Sequence, residues 1–179
     1  MDKSTNPLDQ LRALEDRGRR HVVDLTTHED RREYWRAVSF RVADKQLLLD
    51  EHSVAELLTL PVITVIPGTK DWVAGVANVR GQLLPIVNFG DFLFAEPVKP
   101  NKLVRVLVIV HEEVRSGLIV DQVNGMRRFP VDTLKPTQDD GLPDAMKLIV
   151  DGCYEEEDIF HIMDVKKLVD ESEFMQAAA

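Results

Sequence analysis

From Ala37 onward the chain alternates. In AVSFRVADKQLLLD, Val38, Phe40 and Val42 are apolar and Ser39 and Arg41 between them are polar, the period of two expected of a half-buried strand. Ala43-Asp44-Lys45 supplies a turn and Gln46 to Leu49 a returning strand. HSVAELLTL fits either a short helix or a bent strand, and VITVIPG is a β-branched strand stopped by Pro67-Gly68. WVAGVANVRGQLLPIVNF gives two apolar runs about a polar turn. KLVRVLVIVHEEVRSGLIVDQV is the clearest hairpin: Val104, Val106, Val108 and Val110 share one face and Leu103, Leu107 and Ile109 the other. A strand apolar on both faces is buried on both sides. Glu112 to Ser116 is its expected turn, and Gly117 to Val123 returns. KLIVDGCY and IFHIM bracket EEED as a further hairpin. Asp164 then caps a last helix that carries Val165, Leu168 and Val169 at helical spacing.

Residues 1–20 have a different pattern. Asn6 suits an N-cap, Pro7 the first helical position, and Leu8, Leu11 and Leu14 form one narrow stripe before Gly18. A charged connection follows to about Trp35, and the terminal QAAA is expected to be loose. Many short strands with turns every 8 to 12 residues and no βαβ rhythm predict a mainly β fold, a barrel or a sandwich.

Composition narrows the function classes. The 179 residues are 44% hydrophobic and 30% charged, which suits one domain or two small halves sharing a boundary. The net charge is -9, and the seven arginines from Arg12 to Arg36 have six acidic residues among them, so no basic stripe forms. Nucleic acid and anionic membrane are therefore poor partners. No apolar run approaches the ~20 residues of a membrane span, so no direct membrane insertion is expected. The N-terminal stretch has no apolar signal region. One cysteine, Cys153, excludes an internal disulfide and fits a reducing compartment, so a cytoplasmic location is expected.

The chemistry of catalysis is missing. Cys153 lies inside an apolar strand and reads as a small buried hydrophobe. The five histidines make no close ligand pair, and zinc lacks a second cysteine. His161 and Asp164 are three apart but straddle a strand-to-helix boundary. No phosphate-cradling glycine loop is present, and Glu155 to Asp158 lacks the spaced acids of a calcium loop. No catalytic residue, metal site or cofactor is expected. What stands out is polar chemistry between two core segments: Asn78 and Arg80, with Gly81 after them. The plain reading is a hairpin turn with Arg80 in solvent. The sharper one is recognition, because arginine's fork grips carboxylates and carbonyls at protein interfaces.

Gly75, Asn78, Arg80, Gly81 and Pro85 fall into the pattern G-x-x-N-x-R-G-x-x-x-P, followed by Gly117, Asp121 and Val123 in GLIVDQV and preceded by Glu56. This set resembles the CheW-like coupling proteins of bacterial chemosensory systems, over about Trp35 to Val169. The resemblance implies two five-stranded SH3-like β-barrels side by side, with an apolar groove between them and short N- and C-terminal helices. It divides the chain into an N-terminal extension (1–33), a CheW-like domain of two barrels (34–169) and a tail (170–179). It also implies a non-catalytic adaptor that joins the cytoplasmic tip of a methyl-accepting chemoreceptor to a CheA-like histidine kinase, held through the kinase's regulatory domain. The family roles that carry over are receptor binding for Arg80, Glu56 and Val79, turn and strand structure for Gly75, Asn78, Gly81 and Pro85, and kinase binding for Asp121 and Val123. VANVRG, GMRRFPVD and the N-terminal extension look most like the members that serve type IV pilus (twitching motility) clusters. Two departures stand out: Val79 where leucine is usual, and Asn88-Phe89 where Asp-Leu is common, which removes a charge. The alternatives are a CheW-like kinase-regulating module without receptor contact and, farther off, a small hydrolase.

Overall fold

The computed structural model describes residues 33–137 and 141–176. The helix expected over 1–20 and the last three alanines lie outside the described residues. Eleven strands and four short α-helices follow in order: β1 (Tyr34–Val42), β2 (Lys45–Asp50), β3 (Val54–Thr59), β4 (Ile63–Thr64), β5 (Val73–Val79), β6 (Gln82–Asn88), α1 (Phe89–Phe94), β7 (Arg105–His111), β8 (Val114–Val120), β9 (Gln122–Pro130), α2 (Asp144–Ile149), β10 (Val150–Glu155), β11 (Ile159–Met163), α3 (Val165–Asp170) and α4 (Ser172–Met175).

The strands form two sheets. One has the order β10-β11-β2-β1-β9 and the other β3-β7-β8-β6-β5-β4. They are the two SH3-like barrels. The second has six strands rather than five, because the two-residue β4 pairs onto β5. All of the second barrel, β3 to β8, is inserted between β2 and β9 of the first.

Alternation sorts the side chains into three cores, since successive residues of a strand face opposite ways. On β2, Leu48 joins Ala37, Phe129, Tyr154 and Phe160 inside the first barrel, while Leu47 and Leu49 face the other way. On β7, Val106 and Val108 join Leu84, Ile86 and Ile119 inside the second barrel. Leu107 and Ile109 join Phe40, Leu47, Leu118, Met146 and Leu168 in a cluster that draws on both sheets and on α1, α2 and α3. The two-faced hydrophobicity of β7 thus serves two cores, each buried leucine or valine contributing about 1.5–3 kcal/mol. Leu103 precedes the strand and is exposed.

Several expectations shift. HSVAELLTL is a single 3-10 turn at Glu51–Ser53 followed by a strand, bent by a register shift between Val54 and Glu56. VITVIPG keeps only Ile63–Thr64 as strand and leaves Val62 and Val65 exposed. Prolines 61 and 67 frame this segment and cannot donate to a ladder. The β7–β8 turn is only Glu112-Glu113, with Glu112 at φ 51°, so Val114 to Ser116 already belong to β8. Lys147, Leu148 and Ile149 end α2 rather than start β10. β1 begins at Tyr34, earlier than the alternation suggested, because Trp35 stacks on Tyr154 at 6.1 Å and donates from Nε1 to Asp50 Oδ2 at 2.6 Å. At the other end, 170–179 carries α4, whose Phe174 is buried and stacks on Trp72 at 6.1 Å. Asp164 caps α3 as expected, its carboxylate accepting from Lys166 N.

Candidate functional site

The polar stretch between the two core segments is the β5–β6 hairpin. Val79 pairs with Gln82, so Arg80-Gly81 is a two-residue turn. Their φ angles are 53° and 83°, both positive, as a type I′ turn requires. Glycine adopts such angles freely; an arginine there carries about 1 kcal/mol of strain and must be held. Asn78 supplies the hold, its Oδ1 accepting from Gly81 N at 2.9 Å. Gly75, earlier on β5, has φ +133°, and a Cβ there would sit 2.1 Å from the Thr64 carbonyl oxygen, which brings β4 against β5. A Cβ on Gly117 would meet Ile86 Cδ1 at 2.7 Å and Val106 Cγ1 at 2.8 Å inside the second barrel.

The Arg80 side chain is 80% exposed, yet its Nη2 lies 2.7 Å from Glu56 Oε1, and the Glu56 side chain is only 17% exposed. Arg115 approaches the other carboxylate oxygen, Nη2 to Oε2 at 3.8 Å, and donates from Nη1 to Gln82 Oε1 at 2.7 Å. Register explains why these groups meet. Glu56 pairs with Val108 and Val108 with Gly117, so Glu56 shares the inward face of the second barrel with Arg115, two residues before Gly117. Gln82 lies two residues before the buried Leu84 on the same face of β6. Two arginines, a glutamate and a glutamine therefore close the end of an apolar interior. Beside them Glu56, Leu58, Pro61, Asn78, Val79 and Arg80 line a groove of about 370 Å³, and Leu57 and Leu83 are exposed nearby.

Of the residues expected to act together, Glu56 and Arg80 meet, with Val79 beside them. Asp121 and Val123 are held elsewhere. Asp121 is the single residue between β8 and β9; its Oδ2 accepts from Ala43 N at 2.7 Å and its own N donates to Arg41 O at 3.1 Å. The carboxylate expected to face a kinase thus ties down the β1–β2 turn, where Ala43 has φ 53°. Val123 pairs with Phe40 and packs at the fringe of the shared core. Asn88 accounts for its own departure from the family pattern. Its Oδ1 accepts from Val98 N at 2.9 Å and from Asp91 N at 3.3 Å, and its Nδ2 donates to Val98 O at 3.3 Å. Only an amide both caps α1 and clamps both backbone groups of Val98. Arg115 and Gln82 escaped the sequence reading, and Asn88 figured in it only as a lost charge, not as a clamp. For Arg115 and Gln82 the available signal was their parity with Gly117 and Leu84.

The other titratable candidates are interior groups. Cys153 is buried and free. His161 is buried on β11, and burial, with Lys45 second, pushes its pKa below the ordinary histidine value. Among the described residues no helix is long and apolar enough to cross a membrane.

Residues 36–173 match the CheW-like domain family. The chain belongs to that family. It is 35% identical over 178 residues to the protein PilI of Pseudomonas aeruginosa, covering 99% of each chain. It is 32% identical over 97 residues to the protein FrzA of Myxococcus xanthus, covering 54% of this chain and 61% of that protein. The crystal structure of the scaffolding protein TtCheW from Thermoanaerobacter tengcongensis superposes with a TM-score of 0.69 at 22% identity, over 79% of this chain and 96% of that one. As a CheW-like chain, it keeps the paired barrels and places its N-x-R-G turn at the mouth of the second.

Proposed function

We propose that this CheW-like protein is a non-catalytic adaptor of chemosensory signalling that couples a methyl-accepting receptor to a CheA-like histidine kinase, in a type IV pilus system of the kind its likeness to PilI suggests. The observation that carries this reading is Arg80: a charged fork on a turn held by Asn78, 2.7 Å from Glu56 and open to solvent. A turn held by Asn78 presents the side chain from a fixed backbone position, so less backbone entropy is lost on meeting a partner. Arg80 takes the receptor tip, with Glu56 and Val79 framing it. The regulatory domain of the kinase meets the surface around the β8–β9 connection, where Asp121 and Val123 shape the backbone.

The test is titration of Arg80→Ala and Arg80→Glu against a receptor-tip hairpin bundle and against the kinase regulatory domain, with melting curves alongside. The Arg80 end of the pair is exposed and Arg115 still faces Glu56 when Arg80 is removed, so the cost is small and the fold survives. Loss of an interface arginine costs about 2 kcal/mol, roughly thirtyfold in affinity, and Arg80→Glu is worse if the receptor surface is acidic. Full receptor affinity in folded Arg80→Glu overturns the assignment. Binding of the wild-type protein to the kinase domain alone favours a kinase-regulating module instead.

A further inference from the structure

An acidic group of a partner competes with Glu56 for the exposed Arg80 guanidinium. If it turns outward, Glu56, whose side chain is only 17% exposed in the structure, loses its 2.7 Å ion pair. A carboxylate so enclosed is costly to leave alone. Arg115 stands beside it. Its Nη2 is 3.8 Å from Glu56 Oε2, close enough for charge attraction but too long for a hydrogen bond. It is anchored by Gln82 at 2.7 Å, and its buried Nε has no partner among the described residues. Arg115 therefore has unused donors next to the carboxylate that Arg80 would abandon. We propose that Arg115 is a positioning residue that takes over Glu56 when Arg80 swings to an acidic group of the receptor tip, so that the partner meets a whole cation and not one half of a neutral pair. The charge count agrees: one glutamate and two arginines leave a surplus of one positive charge, in a chain whose net charge is -9.

This inference rests on the receptor-binding reading of Arg80, and a double-mutant cycle separates the two. The receptor-tip affinity of wild type, Arg115→Gln, Arg115→Lys, Glu56→Gln and Glu56→Gln/Arg115→Gln is measured by titration at low salt, with kinase-domain binding and melting as controls. Arg115→Gln is expected to weaken tip binding roughly tenfold and Arg115→Lys much less, with kinase binding unchanged. In the Glu56→Gln background no carboxylate is left to abandon, so Arg115→Gln should change tip affinity little. Where Arg115→Gln does not fold, Arg115→Lys in the same two backgrounds carries the cycle, its smaller loss expected only while Glu56 is present. An equal loss from Arg115→Gln in both backgrounds, or no loss in either, overturns the exchange while leaving Arg80's role intact. Failure of the wild-type protein to bind the tip overturns both.

Discussion

Asn88→Asp is the sharpest test of the local physics, because it changes one atom's chemistry and almost no volume. The amide makes three hydrogen bonds: two into Oδ1, from Val98 N and Asp91 N, and one from Nδ2 to Val98 O. The introduced carboxylate keeps the first two and strengthens them, since a charge at the N-cap of α1 is worth about 0.3–1 kcal/mol. It loses the third, worth about 1 kcal/mol, and sets an anionic oxygen against a carbonyl beside the buried Val98 side chain, which adds about 1 kcal/mol for the unsatisfied pair. The acidic Asp91 in the first turn erodes the capping gain. The balance is a loss of about 1–2 kcal/mol at neutral pH, or roughly 2–8 °C in melting temperature for a chain of this size. Acid should narrow the gap. The penalty belongs to the charged form, so the folded-state pKa of the new group is raised, and protonation restores a donor toward Val98 O. The assay is thermal melting of both proteins at pH 7 and pH 4. A variant as stable as wild type at pH 7 would show that Asn88 is a cap and nothing more.

Three further outcomes are expected. Gly75→Ala sets a Cβ 2.1 Å from Thr64 O at a φ of +133°, so it should cost about 3 kcal/mol or more, read as a fall in the denaturant midpoint. Asp121→Ala leaves Ala43 N without its 2.7 Å acceptor and should cost about 1–2 kcal/mol, so any loss of kinase affinity will come with lower stability; an unchanged urea midpoint would refute this. His161 is held below its ordinary pKa in the folded state, chiefly by burial, so below about pH 6.5 the unfolded chain takes its proton first. Stability should therefore fall as pH drops from about 6.5 toward the folded value, by at most about 1.4 kcal/mol per pH unit, and His161→Leu should remove this component of the slope.

The strands were legible because their faces are chemically distinct. Val38, Phe40 and Val42 alternate with Ser39 and Arg41, and β7 declares two buried faces. β1 is nonetheless not half-buried as expected, since Ala37 and Ser39 on its other face are fully buried. The misreadings share a cause, since apolar residues mark burial only when a partner covers them. Val62 and Val65 look like strand core, but β4 stops after Thr64. The width of the β7–β8 turn depended on Glu112 accepting a left-handed φ, which its residue type does not advertise. The turn at Arg80 was readable from Asn78 and Gly81, whereas the Glu56–Arg80–Arg115 cluster was not. Its members sit on three segments, and their meeting is decided by strand register, which one sequence does not state. Asp121 looked like a surface group for the same reason: its partner, Ala43 N, lies 78 residues away.

Insertion of the second barrel into the first has a consequence for how the chain reaches its native state. β1 and β2 are synthesised early, but their neighbours β9 and β11 arrive only after residues 51–121 have passed. Until then Phe40, Leu47 and Leu49 have no complete sheet to lie in. The inserted barrel has no such delay, because β3 to β8 are contiguous. Its folding also fixes the spacing of its two ends, Val54 pairing with Ile109 and Val120 with Arg105 on the same strand. It so removes in advance much of the loop-closure entropy of the first barrel, a cost that grows with the logarithm of loop length. The order of assembly is thus written into the topology, the inserted barrel acting as the template on which the outer one closes. Lesions such as Gly75→Ala, although confined to the inserted barrel, should deplete the whole chain during synthesis.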